Sequence, residues 1–260
     1  MKKTFAQKGF SLTEVLIAMG IMSLAMIFIA ALFPAGIHFT TISTERTIAA
    51  VAADEAFAKI RLYSDDPNIE SPDVECSLLS PMALMWEFPY PSDPCIPIND
   101  KQYCWSAIWR RVPDIQDQDE NTVQVTVFVS RRAGMNADYY LYYENTITTW
   151  LDSIPSIIKP WPTPVPVEVA FDRDNRIVIT ENVRCPLELS RRFFTEGCTI
   201  VDGKSGMIYR VLSRDNANEN AVFLDKNWLG DAISDVWVVP PPVRGGRPPC
   251  IAVFQRVIRF

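Results

Sequence analysis

The hydrophobic pattern divides the chain near residue 65. From Val15 to Phe33 the positions are almost all apolar, V-L-I-A-M-G-I-M-S-L-A-M-I-F-I-A-A-L-F. About 20 such residues cross a hydrocarbon core as a helix, so the run predicts a membrane span over about 15–33. Helical periodicity then continues over 42–63. At about 100° per residue, Ile42, Ala49, Ala52, Ala53, Ala56, Phe57, Ile60 and Tyr63 share one arc. Asp54, Glu55 and Arg61 fall on other sides, Lys59 sits at the edge, and Glu45 and Arg46 intrude on the arc. The alanines leave room for a sheet to pack closely. Pro67 disfavours helix in the residue before it, which predicts an end near Ser64. Pro34 removes one helical hydrogen bond and predicts an interruption, with Gly20 a second soft point.

Beyond residue 66 the period changes. Val123, Val125, Val127 and Val129 alternate with Gln124, Thr126 and Phe128 in a strand pattern. Similar runs predict strands at 104–112, 122–129, 139–143, 165–171, 176–180, 198–202, 207–213, 221–225, 234–239 and 250–259. Asp172-Arg173-Asp174-Asn175, Asp202-Gly203-Lys204-Ser205-Gly206 and Arg214-Asp215-Asn216-Ala217-Asn218 predict turns between them. Proline clusters over 81–97, 155–166 and 240–249 are interleaved with apolar residues and predict ordered loops, not linkers. The expected architecture is α+β: a long N-terminal helix packed against an antiparallel sheet.

Composition narrows the class. The chain has 260 residues, 48% hydrophobic and 22% charged. That excludes a disordered chain and a polytopic membrane protein. The net charge of −6 supplies no basic field for phosphates, so no nucleic-acid partner is expected. Between Glu14 and Glu45 no Asp, Glu, Lys or Arg occurs, whereas Lys2, Lys3 and Lys8 precede the span. This asymmetry predicts a single pass of the cytoplasmic membrane, N-terminus in the cytoplasm and head outside. All six cysteines, Cys76, Cys95, Cys104, Cys185, Cys198 and Cys250, lie in the expected head. An even count without a C-x-x-C motif fits disulfides in an oxidising compartment. Cys185–Cys198 and Cys95–Cys104 are reasonable local pairs among many connectivities.

Three readings compete for the N-terminus. A cleaved secretory signal needs a short apolar region and small residues at its cleavage site. Here the region is long, and Phe33-Pro34-Ala35 puts a bulky Phe at a key position. A plain anchor explains the length but not Glu14, a carboxylate that costs about 2.5–3.5 kcal/mol at mid-membrane. The string Lys8-Gly9-Phe10-Ser11-Leu12-Thr13-Glu14, followed by an apolar helix, closely resembles the type IV prepilin signal of pilins and pseudopilins. The resemblance covers about residues 1–64. It implies cleavage by a prepilin peptidase between Gly9 and Phe10, N-methylation of Phe10 and retention of the helix. It further implies that Glu14 pairs with the N-terminal amine of a neighbouring subunit. Such a pair is little screened in an apolar filament core. Many pilins carry a proline somewhat earlier than Pro34.

No catalytic, metal or cofactor site is expected. His38 is the single histidine, which removes Ser-His-Asp and Cys-His dyads from the head and excludes multi-His metal sites. Gly203-Lys204-Ser205 has the ending of a phosphate loop, but Cys198 stands where the motif needs glycine. Asp114, Asp117, Asp119, Glu120 and Asn121 offer oxygens, yet lack the spacing of a calcium loop and read as a solvated hairpin. Trp86, Trp105, Trp109 and Trp237 read as core.

The expectation is therefore a leader over 1–9, a long helix over 10–64 and a disulfide-capable β-rich head over 65–260. The resemblance implies a structural subunit of a type IV pilus or type II secretion pseudopilus. Its expected partners are a prepilin peptidase, the inner membrane and other pilin subunits. After processing it would stand in a periplasmic or cell-surface filament. The size of the head favours a minor subunit. The alternative is a membrane-tethered exported binding domain that uses the same signal without assembling.

Overall fold

The computed structural model describes residues 11–63, 77–78, 88–112, 122–134, 137–143, 146–149, 161–182 and 185–259. The chain divides into two compact units, Met1–Thr47 and Ile48–Phe260. Helix α1 runs unbroken from Leu12 to Tyr63 with Pro34 inside it. The expected interruption is thus absent: the proline costs one backbone bond, and the rest of the helix holds.

In chain order the strands are β1 (Ser77–Leu78), β2 (Phe88–Tyr90), β3 (Tyr103–Arg111), β4 (Thr122–Arg131), β5 (Tyr140–Tyr143), β6 (Thr146–Thr149), β7 (Val165–Arg173), β8 (Arg176–Ile179), β9 (Thr199–Asp202), β10 (Ile208–Arg214), β11 (Ala221–Leu224), β12 (Ile233–Val238) and β13 (Cys250–Arg259). A short helix α2, Leu187–Phe193, lies between β8 and β9. The ten expected strands are all present, to within two residues at most ends. Strands β1, β2 and β6 and helix α2 carried too short a pattern to be anticipated.

The strands do not form the single sheet expected. They divide between a five-stranded antiparallel sheet, ordered β1-β3-β4-β13 with β2 also on β3, and a closed barrel ordered β10-β11-β8-β7-β12-β9. Strands β5 and β6 pair separately. The barrel closes because β12 pairs with both β7 and β9, and β9 also pairs with β10. Closure removes the free edges that an open sheet would present. These pairings join residues far apart in sequence, where local periodicity carries no information.

Alternation gives the five-stranded sheet two unlike faces. One face carries Trp105, Ala107, Trp109, Val123, Val125, Val127, Val129 and Ile258, and it packs on Ala49, Ala52, Ala53, Ala56, Phe57 and Ile60 of α1. These six helix residues, at most 2% exposed, are the buried part of the predicted arc, while Ile42 is half-buried. Phe88 of β2 stacks on Trp105 with ring centroids 4.0 Å apart. The loop after β2 is tied to the helix as well, since Ser92 bonds both Glu55 and Lys59, which themselves pair at 3.0 Å.

The opposite face carries Arg110, Ile108, Gln124, Thr126, Phe128 and Gln255, because these residues pair across β3, β4 and β13 in register. Ile108 and Phe128 meet Val201, Trp237 and Val239 of the barrel side in a small core. Inside the barrel, Val165, Val167, Val169, Ile177, Ile200, Val211, Val222, Val236 and Val238 form the main core, with Phe193 of α2. The head thus stacks helix, sheet and barrel.

Candidate functional site

The candidate site is the exposed N-terminal stretch of α1. Every side chain from Ser11 to Thr41 is exposed. Leu16, Ile17, Met19, Ile21, Met22, Ile27, Phe28, Ile29 and Phe33 are each 60% exposed or more, a density of apolar surface that water does not favour. The helix is long and apolar enough to cross a membrane. Several of its hydroxyls bond back to the helix's own carbonyls. Ser23 donates to the carbonyl of Met19 at 2.8 Å, Thr40 to Gly36 at 2.9 Å and Thr41 to Ile37 at 2.9 Å. Thr44 and Thr47 repeat the device one turn apart, at 2.9 and 3.0 Å. Such back-bonding hides hydroxyls that would otherwise need a partner in an apolar surrounding.

Glu14 stands in the first turn of α1. The turn is closed by Ser11, whose carbonyl accepts from the backbone N–H of Glu14 at 3.0 Å and of Val15 at 3.2 Å. A carboxylate in a first turn is stabilised by the positive end of the helix dipole. Among the described residues, Glu14 has no ion-pair partner. The arrangement is an exposed acid at the rim of a charge-free apolar stripe. Gly9 and Phe10, the expected cleavage junction, lie outside the described residues.

Asp202-Gly203-Lys204-Ser205-Gly206 is the hairpin turn between β9 and β10. Asp202 is fully buried; it accepts from the Ser205 N–H at 2.8 Å and from the hydroxyls of Ser205 and Ser234. Arg110 donates from Nη1 to the Lys204 carbonyl at 2.9 Å and from Nη2 to the Ser205 carbonyl at 2.7 Å. Gln255 donates to the Gly206 carbonyl at 2.5 Å. The turn is therefore the polar clasp between barrel and sheet. Its signal in sequence was the pair of glycines; its docking partners were not legible. Gly206 has φ +70°, and a Cβ there would stand 2.5 Å from Gln124 Oε1 and 2.7 Å from Arg110 Nε.

His38 is exposed, with its ring edge-on to Phe39 at 6.1 Å. The acidic stretch Asp114 to Asn121, Cys76 and Trp86 lie outside the described residues. No cluster of three or more metal-ligating side chains occurs among the described residues. Burial raises the Tyr209 hydroxyl above its usual range, aided by Asp202 and Asp225 and opposed by the hydrogen bond from the Leu229 N–H at 3.0 Å.

Cys95, Cys185, Cys198 and Cys250 are thiols in this structure, and the expected pairings remain expectations. Cys185 is held by α2, whose Ser190 hydroxyl lies 2.9 Å from its sulfur. Cys95 is exposed on the loop after β2, whereas Cys104 is buried within β3.

Residues 4–30 match the family model described as the prokaryotic N-terminal methylation motif, the prepilin-type signal of type IV pilins and pseudopilins. Neither a curated protein nor a solved structure matches the chain. The chain is thus type IV pilin-like at its N-terminus, and that motif implies processing by a prepilin peptidase and assembly with pilin subunits in general. The motif and the apolar helix together support membrane anchoring followed by entry into a filament. The motif is that of structural, pilin-like proteins.

Proposed function

We propose that this chain is a filament subunit, a minor pilin of a type IV pilus or of a type II secretion pseudopilus. It is cut between Gly9 and Phe10, methylated at Phe10, and packed into the filament through the exposed part of α1. The observation that carries the reading is the combination of the matched motif with the exposed, charge-free stripe behind Glu14. In membrane the stripe faces lipid; in a filament it faces other apolar helices. Burying a carboxylate beside the amine of Phe10 in a neighbouring subunit favours one stagger, because either charge alone would be costly there.

Six helix residues at 2% exposure or less fix the head to α1, so a subunit is pulled from the membrane with its head attached. A second reading, a tethered exported binding domain, shares the anchor and differs only in leaving the stripe in lipid. Shearing filaments from cells that carry Glu14→Ala separates the two. The filament reading expects normal cleavage with loss of the variant from the sheared fraction. Wild-type levels of the variant in that fraction would refute it, and absence of the unmutated chain from filaments would favour the tethered domain.

A further inference from the structure

We propose that Cys198 and Cys250 form a disulfide that staples the barrel to the five-stranded sheet. The register brings them together. Cys250 opens β13 opposite Ser130 of β4, and it packs on the cluster that contains Val201 of β9 and Val239. Val238 pairs with Ile200, so Val239 follows toward the start of β9, where Cys198 stands. Strands β9 and β13 are in contact. Of the other cysteines, Cys185 shares the barrel core with Cys198 but lies against Ser190, Cys104 faces Ser130 from β3 on the other side of β4, and Cys95 is on the surface.

Electrostatics agrees with this neighbourhood. Burial pushes the Cys198 thiol up to about 12. Burial and then the adjacent Cys198 push Cys250 up to about 12 as well. Thiols this protonated are poor nucleophiles in the closed head, so the bond forms during folding or local opening and is shielded afterwards. The cross-link would close a long loop containing β9 to β12, where a disulfide restricts the unfolded chain most.

The reaction is thiol–disulfide exchange with a small disulfide such as oxidised glutathione. The Cys198 thiolate attacks one sulfur and releases one glutathione thiolate, giving a mixed disulfide. The Cys250 thiolate then attacks Cys198 sulfur and releases the second. Two protein thiols lose two protons and two electrons, and one oxidised glutathione becomes two reduced molecules.

Only the presence of the bond in the cell rests on the proposed export of the head. The test uses the full chain in detergent, reduced and then equilibrated with oxidised and reduced glutathione. Free thiols are alkylated after unfolding, and peptides are mapped without reduction. The expected result is a linked Cys198–Cys250 peptide in most chains, abolished by Cys198→Ala with Cys250 then alkylated. Alkylation of both in the wild type, or linkage of Cys198 to another cysteine, overturns the proposal. A bond formed in detergent but missing from cells contradicts export and leaves the pairing intact.

Discussion

Arg256 of β13 lies over the ring of Phe57, with its guanidinium carbon 4.6 Å from the ring centroid, and reaches Asp54 at 2.6 Å. The last strand is thereby clasped to helix α1 by one residue that is partly apolar contact and partly charge. The two parts differ in weight. Phe57 is 2% exposed within the helix–sheet core, whereas the Arg256 and Asp54 side chains are largely solvated.

Phe57→Ala should therefore cost about 3–5 kcal/mol of head stability, the usual range for emptying a buried aromatic site. Asp54→Ala should cost about 1 kcal/mol or less, since an exposed ion pair is screened and entropically expensive. Denaturant unfolding of the full chain in detergent, followed by tryptophan fluorescence, reads both. A larger loss for Asp54→Ala than for Phe57→Ala would reverse the assignment of the core to this face.

Ala53→Leu tests the same face from the other side. Ala53 is 2% exposed against the sheet, where the helix approaches closely. Added methylenes have no void to fill, so the substitution should cost about 1–3 kcal/mol. Ala58→Leu, on the exposed side of the same helix, should leave stability within about 0.5 kcal/mol.

Gly206→Ala should loosen the barrel from the sheet. The residue has φ +70°, and the new methyl group would collide with Gln124 and Arg110. Backbone strain of this kind costs about 1–3 kcal/mol. Combining Gly206→Ala with Arg110→Ala should give less than the sum of the single losses, because the second change removes one of the two side chains that the first one strikes and lets Gln124 move. Strict additivity in a double-mutant cycle would contradict the clasp.

How much of this was legible in the sequence differs by element. The helix and its buried arc followed from the spacing of Ala49, Ala52, Ala56 and Ile60, because helical period is a local property. The ten main strands followed from alternation for the same reason. The barrel did not, because its closure rests on pairs such as Trp237 with Val201 and Trp237 with Pro166, which no local window contains. Glu14 stands out in the sequence because it breaks an otherwise apolar pattern, and its exposure in the first turn of α1 is what the structure adds. Arg110 and Gln255 were not, since a polar residue facing a second layer reads like one facing water.

The reduced head should lose stability in alkali. The Cys198 thiol titrates near 9.0 in an unfolded chain and is pushed up to about 12 by burial. The folded form keeps its proton where the unfolded form loses it. Its contribution is therefore complete below about pH 9 and is lost progressively as pH rises toward 12. Cys198→Ala should flatten that part of the profile. Denaturation midpoints measured between pH 7 and 11 on reduced protein check the sign. A profile unchanged by the substitution would show that another group governs alkaline unfolding.

The central claim concerns the N-terminus, and mass spectrometry of the mature chain recovered from sheared filaments tests it most directly. The account predicts a chain that begins at N-methylated Phe10 and retains α1. A chain that begins near Gly36, or one that keeps Met1 to Gly9, would contradict it.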